Sequence, residues 1–436
     1  MTRGHAPETH RPAWSVVICT NGRPEYVAHL LETLNALGHP DVEIIVVQGP
    51  DGRDGAALGI PGVRWVHTDQ RNIAAARNLG VRAARGDFVA FLDDDGLPET
   101  YWLDELRTAI EQSAEVAAVG GPVFDHTGIR VQVYFNTISR TGVPRPILHS
   151  YDVSTLFSSP DSWEVPYAPG ANCGFRREAL VAIGGFDEAF TWAFEEADVC
   201  LRLVDAGYAI AAAPGAWIHH KMAPSRMRNA GRVFTNWSEM LRSASYFAYR
   251  HGISEGRIVE DLGAFIASAR ANVEANITLG ALDDGARDSF EDALDDAITA
   301  GRELVARPRQ LRPPGWFDRK DLCYPATSLR RSRPPTTCVV APTAGPDLAT
   351  PSFRSVWNRA RDLTARGHAV RLVVPGAGPS RVDREDGVWV HRVSSVPASA
   401  FVEGEPLPVG IQEEITRLKT FCDVTETVII WAQQEQ

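Results

Sequence analysis

The apolar and polar positions divide the first part of the chain into strands and helices that alternate. Apolar runs over 14–19, 42–47 and 63–66 predict buried strands, and helical spacing predicts helices over 24–37 and 72–84. Alternation of this kind favours βαβ units around a mainly parallel sheet. The predicted fold class is therefore α/β.

One stretch, GDFVAFLDDDG at 86–96, predicts a buried strand that ends in a group of carboxylates. Five apolar residues lead into Asp93, Asp94 and Asp95, and Gly96 and Pro98 then end the run. Ligands of open α/β sheets bind at the carboxyl ends of the strands. Three adjacent carboxylates repel one another unless a cation neutralises them, and hard oxygen ligands suit Mg²⁺ or Mn²⁺. We therefore expect a metal site here rather than a solvated acidic turn.

The rest of the chain shows a helical region and then a second α/β pattern. Residues 124–168 have no clear period, 210–220 predicts an edge strand, and an aromatic stripe over 234–249 is typical of a helix. That stripe fits either a core face or a membrane-surface face, and its spacing favours the core. The predicted units are a tail over 1–12, an α/β domain over 13–225, a helical extension over 226–306, a Pro/Arg-rich linker over 307–336 and a Rossmann-like segment over 337–436.

Composition and net charge limit the classes of partner that the chain is expected to bind. The 436 residues carry a net charge of −11, which argues against a nucleic-acid-binding surface. An anionic ligand would then have to meet local Arg, Lys or a metal. The six scattered cysteines lack CxxC spacing and predict reduced thiols of a cytoplasmic protein. The chain contains no apolar run near the roughly 20 residues that span a bilayer, so any membrane contact would be peripheral, at the inner face.

Five stretches, taken together and in order, resemble family 2 glycosyltransferases. They are VVICTNGRPEYVAHLLETL at 16–34, EIIVVQGPDGRDG at 43–55, NIAAARNLGVRAARGDFVAFLDDDGLP at 72–98, GANCGFRREALVAIGGFDEAF at 170–190 and FEEADVCLRLVDAGY at 194–208. The resemblance implies the GT-A nucleotide-diphospho-sugar transferase fold. It also implies metal-dependent, inverting transfer of a sugar from a nucleoside-diphosphate sugar to a hydroxyl group.

The resemblance assigns a metal site and a catalytic base. Asp93 and Asp95 match the family's DxD pair, with Asp95 on Mn²⁺ or Mg²⁺ and Asp93 shared between the cation and the ribose. A histidine completes the metal shell in many relatives. Only one of His219 and His220 can face the site on an edge strand, and we favour His219 although sequence does not decide between them.

The segment Phe194-Glu195-Glu196-Ala197-Asp198 resembles the family's Glu-Asp-x-Asp motif. Glu196 occupies the position of the catalytic base. Because Glu is one methylene longer than Asp, Glu195 remains a competing base. The alternative to catalysis is that these acids stabilise a helix N-terminus.

The resemblance also implies contacts to the nucleotide sugar, although Asp94 should point away from its two neighbours. Relatives often carry Asp where this chain has Gln48, and an amide can still pair with a uracil edge, so a UDP-sugar is favoured. The implied contacts are Gln48, Arg77, Asn78, Asp93, Asp94, Gly170, Ala171 and Asn172.

The last hundred residues resemble the N-terminal half of a GT-B glycosyltransferase, either as a remnant that binds a partner or as part of a truncated chain. The acceptor is unidentified: a glycan, a lipid carrier, a peptide or a small metabolite. Two other functions are weighed, a non-catalytic sugar-nucleotide-binding or scaffold protein and a nucleotidyltransferase. The sequence Thr20-Asn21-Gly22-Arg23-Pro24 is a poor version of the phosphate loop that a nucleotidyltransferase needs.

Overall fold

The structure is a computed structural model. It describes residues 13–39, 41–52, 62–147, 159–318, 335–342, 351–376, 378–419, 422 and 424–430. The tail predicted over 1–12 lies outside the described residues.

The first α/β domain and the helices after it contain most of the described elements. In chain order they are β1 (Trp14–Thr20), α1 (Pro24–Leu37), β2 (Val42–Gln48), β3 (Val63–His67), α2 (Ile73–Ala83), β4 (Phe88–Asp93), β5 (Gly96–Pro98), α3 (Trp102–Glu111), β6 (Val116–Gly120), β7 (Val123–Phe124), β8 (Val131–Val133), β9 (Phe135–Ser139), β10 (Pro144–Ile147), β11 (Glu164–Tyr167), β12 (Asn172–Arg176), α4 (Arg177–Ala182), α5 (Glu195–Asp205), β13 (Ala209–Ala212), β14 (Ile218–His220), α6 (Ser238–His251), α7 (Glu255–Thr278) and α8 (Gly285–Leu304).

A seven-stranded sheet in the order β13-β6-β12-β4-β1-β2-β3 forms the centre of the domain. All its pairs are parallel except those of β12, which runs antiparallel to β4 and β6. The predicted α/β class with a mainly parallel sheet is confirmed. The period of two along β1 puts Val17 in the core under α2 and Val16 and Ile18 in the core under α1.

The register of the sheet brings the polar ends of β1 and β4 together. Cys19 pairs with Asp93 across the two strands, so the loop after β1 and the acidic turn after β4 leave the sheet at the same edge. This edge is where parallel α/β sheets place their ligands.

Two regions differ from the prediction. The stretch over 124–168 contains short strands, among them a three-stranded antiparallel sheet in the order β10-β9-β11. The edge strand expected over 210–220 is two strands in different sheets, because Pro214 and Gly215 interrupt the ladder. β13 joins the large sheet, whereas β14 joins a small sheet in the order β5-β14-β7-β8.

The helical extension packs against the domain with its aromatic side. Tyr246 and Phe247 on α6 are 1% and 0% exposed and belong to the same core as Phe190. The stripe is therefore a core face, as its spacing favours. Among the described residues no helix has the length and apolar character needed to cross a membrane.

The predicted linker differs from the structure over 307–318, which packs on the domain. Phe317 is buried, Arg309 Nη1 donates to Asp198 Oδ1 at 2.7 Å and Arg312 Nε donates to Glu188 Oε1 at 2.7 Å. Arginines of the predicted linker thus have buried acidic partners on the domain. The remainder of the predicted linker, over 319–334, lies outside the described residues.

The C-terminal segment is a second, smaller α/β unit with a five-stranded sheet in the order β17-β18-β16-β15-β19, parallel except for β17. Val382 and Trp389 of this segment pack into the core of the first domain that contains Trp14 and Trp102. Its elements are β15 (Thr336–Val340), α9 (Pro351–Ala365), β16 (Ala369–Gly376), β17 (Arg381–Glu385), β18 (Val388–Ser394), α10 (Val409–Leu418) and β19 (Val424–Ile429).

Candidate active site

A cleft of about 790 Å³ opens at the carboxyl ends of β1 and β4. Its walls come from the loop after β1, the first turns of α2 and α5, the turn at 169–171 and the loop after β14. Among the described residues, five arginines line it beside five acidic side chains, so guanidinium groups are at hand for an anionic ligand in a chain of net charge −11. The arginines are Arg23, Arg71, Arg77, Arg226 and Arg228.

Asp93, Asp95 and His220 converge in this cleft, with one ligand atom from each within 4.8 Å of the others. The His220 Nε2 atom lies 3.8 Å from Asp93 Oδ2 and 3.7 Å from Asp95 Oδ2. The other ring nitrogen, Nδ1, lies 3.3 Å from Gln132 Oε1. When Nδ1 carries the proton and donates a hydrogen bond to Gln132, the Nε2 lone pair faces the two carboxylates, as a metal-binding imidazole requires.

The choice of His219 over His220 is wrong in this structure. Neighbouring residues of a strand face opposite sides, and β14 is fixed in register by pairing His220 with Gly96 and His219 with Leu97. His219 is fully buried on the far side, with Nε2 2.7 Å from Glu99 Oε1.

Asp94 points away from its neighbours, as expected, and so it does not line the cleft. Its carboxylate accepts a hydrogen bond from Thr20 Oγ1 at 2.6 Å and one from Arg23 Nε at 3.0 Å. Burial raises the pKa of Asp94 to about 7, although Arg23 acts in the opposite direction. The implied contact of Asp94 with a nucleotide is therefore replaced by a role beneath the cleft, where it holds Arg23.

Arg77 connects the acidic turn to the start of α5. Its Nη1 donates to Glu195 Oε1 at 2.8 Å and its Nη2 donates to the Gly170 carbonyl oxygen at 3.0 Å. Nη2 also lies 3.9 Å from Asp93 Oδ1. One buried guanidinium thus fixes the relative position of the two acidic groups that the resemblance assigns to metal binding and to catalysis.

The backbone before α5 directs Glu195 and Glu196 into the cleft. Ala193 and Phe194 have φ values of 62° and 70°, in the left-handed region that residues other than glycine rarely adopt. Strained conformations of this kind are found at functional sites. Here the two residues lead directly into α5, whose first residues, Glu195 and Glu196, line the cleft together with Gly170.

Glu195 and Glu196 form a pair with raised pKa values. Burial raises the pKa of Glu195 to about 8, and repulsion from Glu196 adds to it, while Arg77 acts in the opposite direction. Burial also raises the pKa of Glu196, again against Arg77. Since one guanidinium compensates one carboxylate, the pair retains a proton more readily than isolated side chains would.

Three amide side chains frame the cleft without lining it, which corrects the contacts implied for them. Asn78 donates to the Phe186 carbonyl oxygen at 2.9 Å, and Asn172 donates to the Pro122 carbonyl oxygen at 3.0 Å. Gln48 is 4% exposed and does not line the cleft, although Gly49 and Asp51 after it do. Of the other implied contacts, Arg77, Asp93, Gly170 and Ala171 do line the cleft.

Sequence reasoning missed Arg23, Arg71 and Arg228, and it considered His220 but favoured His219. Arg23 lies three residues after β1, where α/β sheets bind ligands, so its position relative to a strand end could have identified it. Arg228 lies eight residues after β14, too far for the same signal. Arg71 lies beside the Asn72 cap of α2, and Asn72 accepts a hydrogen bond from the Ala75 N–H at 3.0 Å.

Comparison with known proteins assigns this domain. Residues 15–184 match the family model for glycosyl transferase family 2. This part of the chain is a family 2 glycosyltransferase domain. The matched residues contain the acidic turn, Arg77 and Gly170, whereas Glu195, Glu196 and His220 follow the match.

Curated relatives are also glycosyltransferases or proteins of polysaccharide synthesis. The pre-mycofactocin glycosyltransferase of Mycobacterium tuberculosis is 30% identical over 161 residues, which are 35% of this chain and 31% of that protein. The succinoglycan biosynthesis protein ExoM of Rhizobium meliloti is 28% identical over 260 residues, 56% of this chain and 74% of that protein. The chain thus spans about a third of the mycobacterial relative.

Among solved structures, the mannosyltransferase PcManGT from Pyrobaculum calidifontis, in complex with GDP-Man and Mn²⁺, is similar at 17% identity and a TM-score of 0.41. The similarity covers 68% of this chain and 88% of that one. A likeness this low adds nothing to the family match.

Proposed function

We propose that the chain transfers a sugar from a nucleoside-diphosphate sugar to a hydroxyl acceptor, with inversion at the anomeric carbon. One observation carries the proposal: the Asp93, Asp95 and His220 cluster and the Glu195–Glu196 pair meet across one cleft, with Arg77 between them. The family 2 match supports the reaction class. A scaffold without catalytic activity would not need a pair of buried carboxylates that faces a set of metal-ligating side chains.

The donor set of the cluster fits a divalent cation. Asp93, Asp95 and His220 would hold it through two carboxylates and one imidazole, a set that suits Mn²⁺ or Mg²⁺. The chemistry that such a cation supplies is neutralisation of the diphosphate that leaves.

The arginines of the cleft support the donor assignment. Arg23, Arg71 and Arg228 reach the cleft from separate loops, and a guanidinium can bind a phosphate bidentately. The UDP preference rested on Gln48, which does not line the cleft, so the proposal names the donor only as a nucleoside-diphosphate sugar. The acceptor stays open among a glycan, a lipid carrier, a peptide and a small metabolite.

Glu196 is the base in this proposal. The Oε2 atoms of Glu195 and Glu196 are both buried without a hydrogen-bond partner among the described residues, and the difference between the two is that Glu195 Oε1 accepts a hydrogen bond from Arg77. A carboxyl with a raised pKa is a stronger base once it loses its proton, and Glu196 would take the proton of the acceptor hydroxyl as its oxygen attacks. Inversion follows because one displacement, without a covalent intermediate, reverses the anomeric configuration.

The test is slow hydrolysis of α-linked nucleotide sugars, with water as acceptor, followed by proton NMR in the presence of Mg²⁺. We expect one donor of a panel to be cleaved and the β-configured sugar to appear before mutarotation. Samples without protein and samples with excess chelator are the controls. Initial release of the α sugar would show retention and contradict the displacement mechanism, and a panel left uncleaved would favour the scaffold.

A further inference from the structure

The strand that carries His220 has a second face, and the C-terminal segment covers it. His219 turns away from the cleft and lies between two aromatic rings, Phe124 at 5.0 Å and Trp389 at 5.0 Å between centroids. Trp389 belongs to β18 of the C-terminal segment. The residue next to a predicted metal ligand therefore packs on another part of the chain.

A buried ion pair joins the two parts at this point. Glu99 and Arg371 are 0% and 2% exposed, and Arg371 Nη1 donates to Glu99 Oε1 at 3.1 Å while Nη2 donates to Oε2. The same Glu99 carboxylate meets His219 Nε2, and the Glu99 N–H donates to the Trp217 carbonyl oxygen at 2.9 Å. The pair thus holds the start of β14 through both side chain and backbone.

The C-terminal segment also holds the residue on the other side of His220. Lys221 Nζ donates to the Val382 carbonyl oxygen at 2.8 Å and lies 3.2 Å from Asp383 Oδ1. The Lys221 N–H in turn donates to the Asp95 carbonyl oxygen at 3.0 Å, and Val382 N–H donates to the Thr127 carbonyl oxygen at 2.7 Å. His220 therefore lies between two residues that the C-terminal segment holds. The Lys221 side chain contacts the segment directly, and the His219 side chain contacts Glu99, which is paired with Arg371.

This arrangement has an energetic consequence for the cluster. A buried carboxylate that loses a guanidinium partner is strongly destabilised, so Glu99 and the strand that contacts it would shift. Residues that orient a metal ligand without touching the metal typically change metal affinity by 10–100-fold when replaced.

We propose that the C-terminal segment, 336–430, is a positioning part of the metal site: through Arg371–Glu99 and through Lys221 it holds β14 so that His220 stays beside Asp93 and Asp95. The inference rests on the proposed function, because it concerns the same cluster. The proposed role does not require a nucleotide-binding site within the segment. Arg371 and Asp383 are positioning residues, since neither touches the cluster.

The test is Mn²⁺ binding to the full chain, measured by electron paramagnetic resonance, with electron spin-echo modulation to detect the nitrogen of His220. The wild type should bind Mn²⁺ and show nitrogen coupling, and His220→Gln should lack the coupling, which assigns it. For Arg371→Met we expect a Kd raised about 10–100-fold and weakened nitrogen coupling. Asp383→Asn, which weakens only the Lys221 contact, should change both in the same direction by less.

The matched control is Glu32→Gln. The change removes a different ion pair between the two parts, in which Arg384 Nη1 lies 3.5 Å from Oε2 of Glu32 on α1. It should leave the Kd for Mn²⁺ and the nitrogen coupling unchanged. A wild type that does not bind Mn²⁺ contradicts the proposed function itself. If the wild type binds and folded Arg371→Met binds equally well with the same coupling, the positioning role is wrong. Should Arg371→Met fail to fold, Asp383→Asn decides by the same two readouts.

Discussion

Replacing Glu196 with Gln is expected to slow donor hydrolysis by about 10²–10⁴-fold, the usual contribution of a general base. The change keeps the size of the side chain and removes its ability to accept a proton. The affinity for the nucleoside diphosphate should not fall, because Glu196 faces the acceptor side in this account. The measurement is release of nucleoside diphosphate under saturating donor, with the dissociation constant determined separately by calorimetry.

Glu195→Gln is the matched control for that experiment. Glu195 is bonded to Arg77, so its replacement should have the smaller effect on the rate of donor hydrolysis. Should Glu195→Gln show the large loss while Glu196→Gln stays active, the two roles are reversed. Equal, small losses for both would remove general-base catalysis by this pair from the account.

Replacing Arg77 with Met should destabilise the fold by about 3–5 kcal/mol at pH values above the Glu195 pKa of about 8, where both partners of the buried ion pair are charged and removing one leaves the other unpaired. Arg77 and Glu195 are 4% and 3% exposed, so solvent cannot replace the lost contact. The side chain also packs against the rings of Phe91 and Phe186, whose centroids lie 5.5 and 5.6 Å from its guanidinium carbon. Urea unfolding of variant and wild type measures the difference in free energy of unfolding.

The pH dependence of that loss has a definite sign. Without Arg77, the folded-state pKa of Glu195 rises further above its value in the unfolded chain. The difference between variant and wild type then arises near and above the wild-type pKa of about 8, where only the wild type ionises Glu195, so the loss should grow as pH rises from 7 toward 9 and change little between pH 5 and 7. Arg71→Met is the control: it removes an exposed pair with Asp51 and should cost at most about 1 kcal/mol. A loss for Arg77→Met that is as small, or independent of pH, would show that the guanidinium does not compensate Glu195.

Sequence could predict the parts of the site that follow from a strand end. The apolar run over 88–92 fixes a buried strand, and the carboxylates after it must leave the sheet at its carboxyl edge. Alternation along the turn also correctly placed Asp94 opposite Asp93 and Asp95. These conclusions needed only local pattern and the geometry of a parallel sheet.

The choice between His219 and His220 could not be made locally. It depends on the register of β14 against β5 and β7, strands that lie about 100 residues earlier in the chain. A strand slipped by one residue would exchange the two faces. The amides were misassigned for a related reason: Asn78 is bonded to backbone at Phe186, a contact that no sequence pattern announces.

The packing of the C-terminal segment was also beyond local pattern, although one signal was present. Arg371 interrupts the apolar run of β16, and a charged residue in a buried strand needs a buried partner of opposite charge. That signal predicts an acid but does not identify Glu99, which lies on the first domain.

Calorimetric titration of nucleoside diphosphates, with and without Mn²⁺, tests whether the cleft is a metal-dependent donor site. We expect one diphosphate to bind the wild type only with Mn²⁺. Asp95→Asn, which keeps the shape and the acceptor for the Ala223 N–H at 2.6 Å, should lose this binding. Binding that is equally strong without the cation or in Asp95→Asn would contradict the metal-dependent donor site. So would the absence of binding by every diphosphate tested.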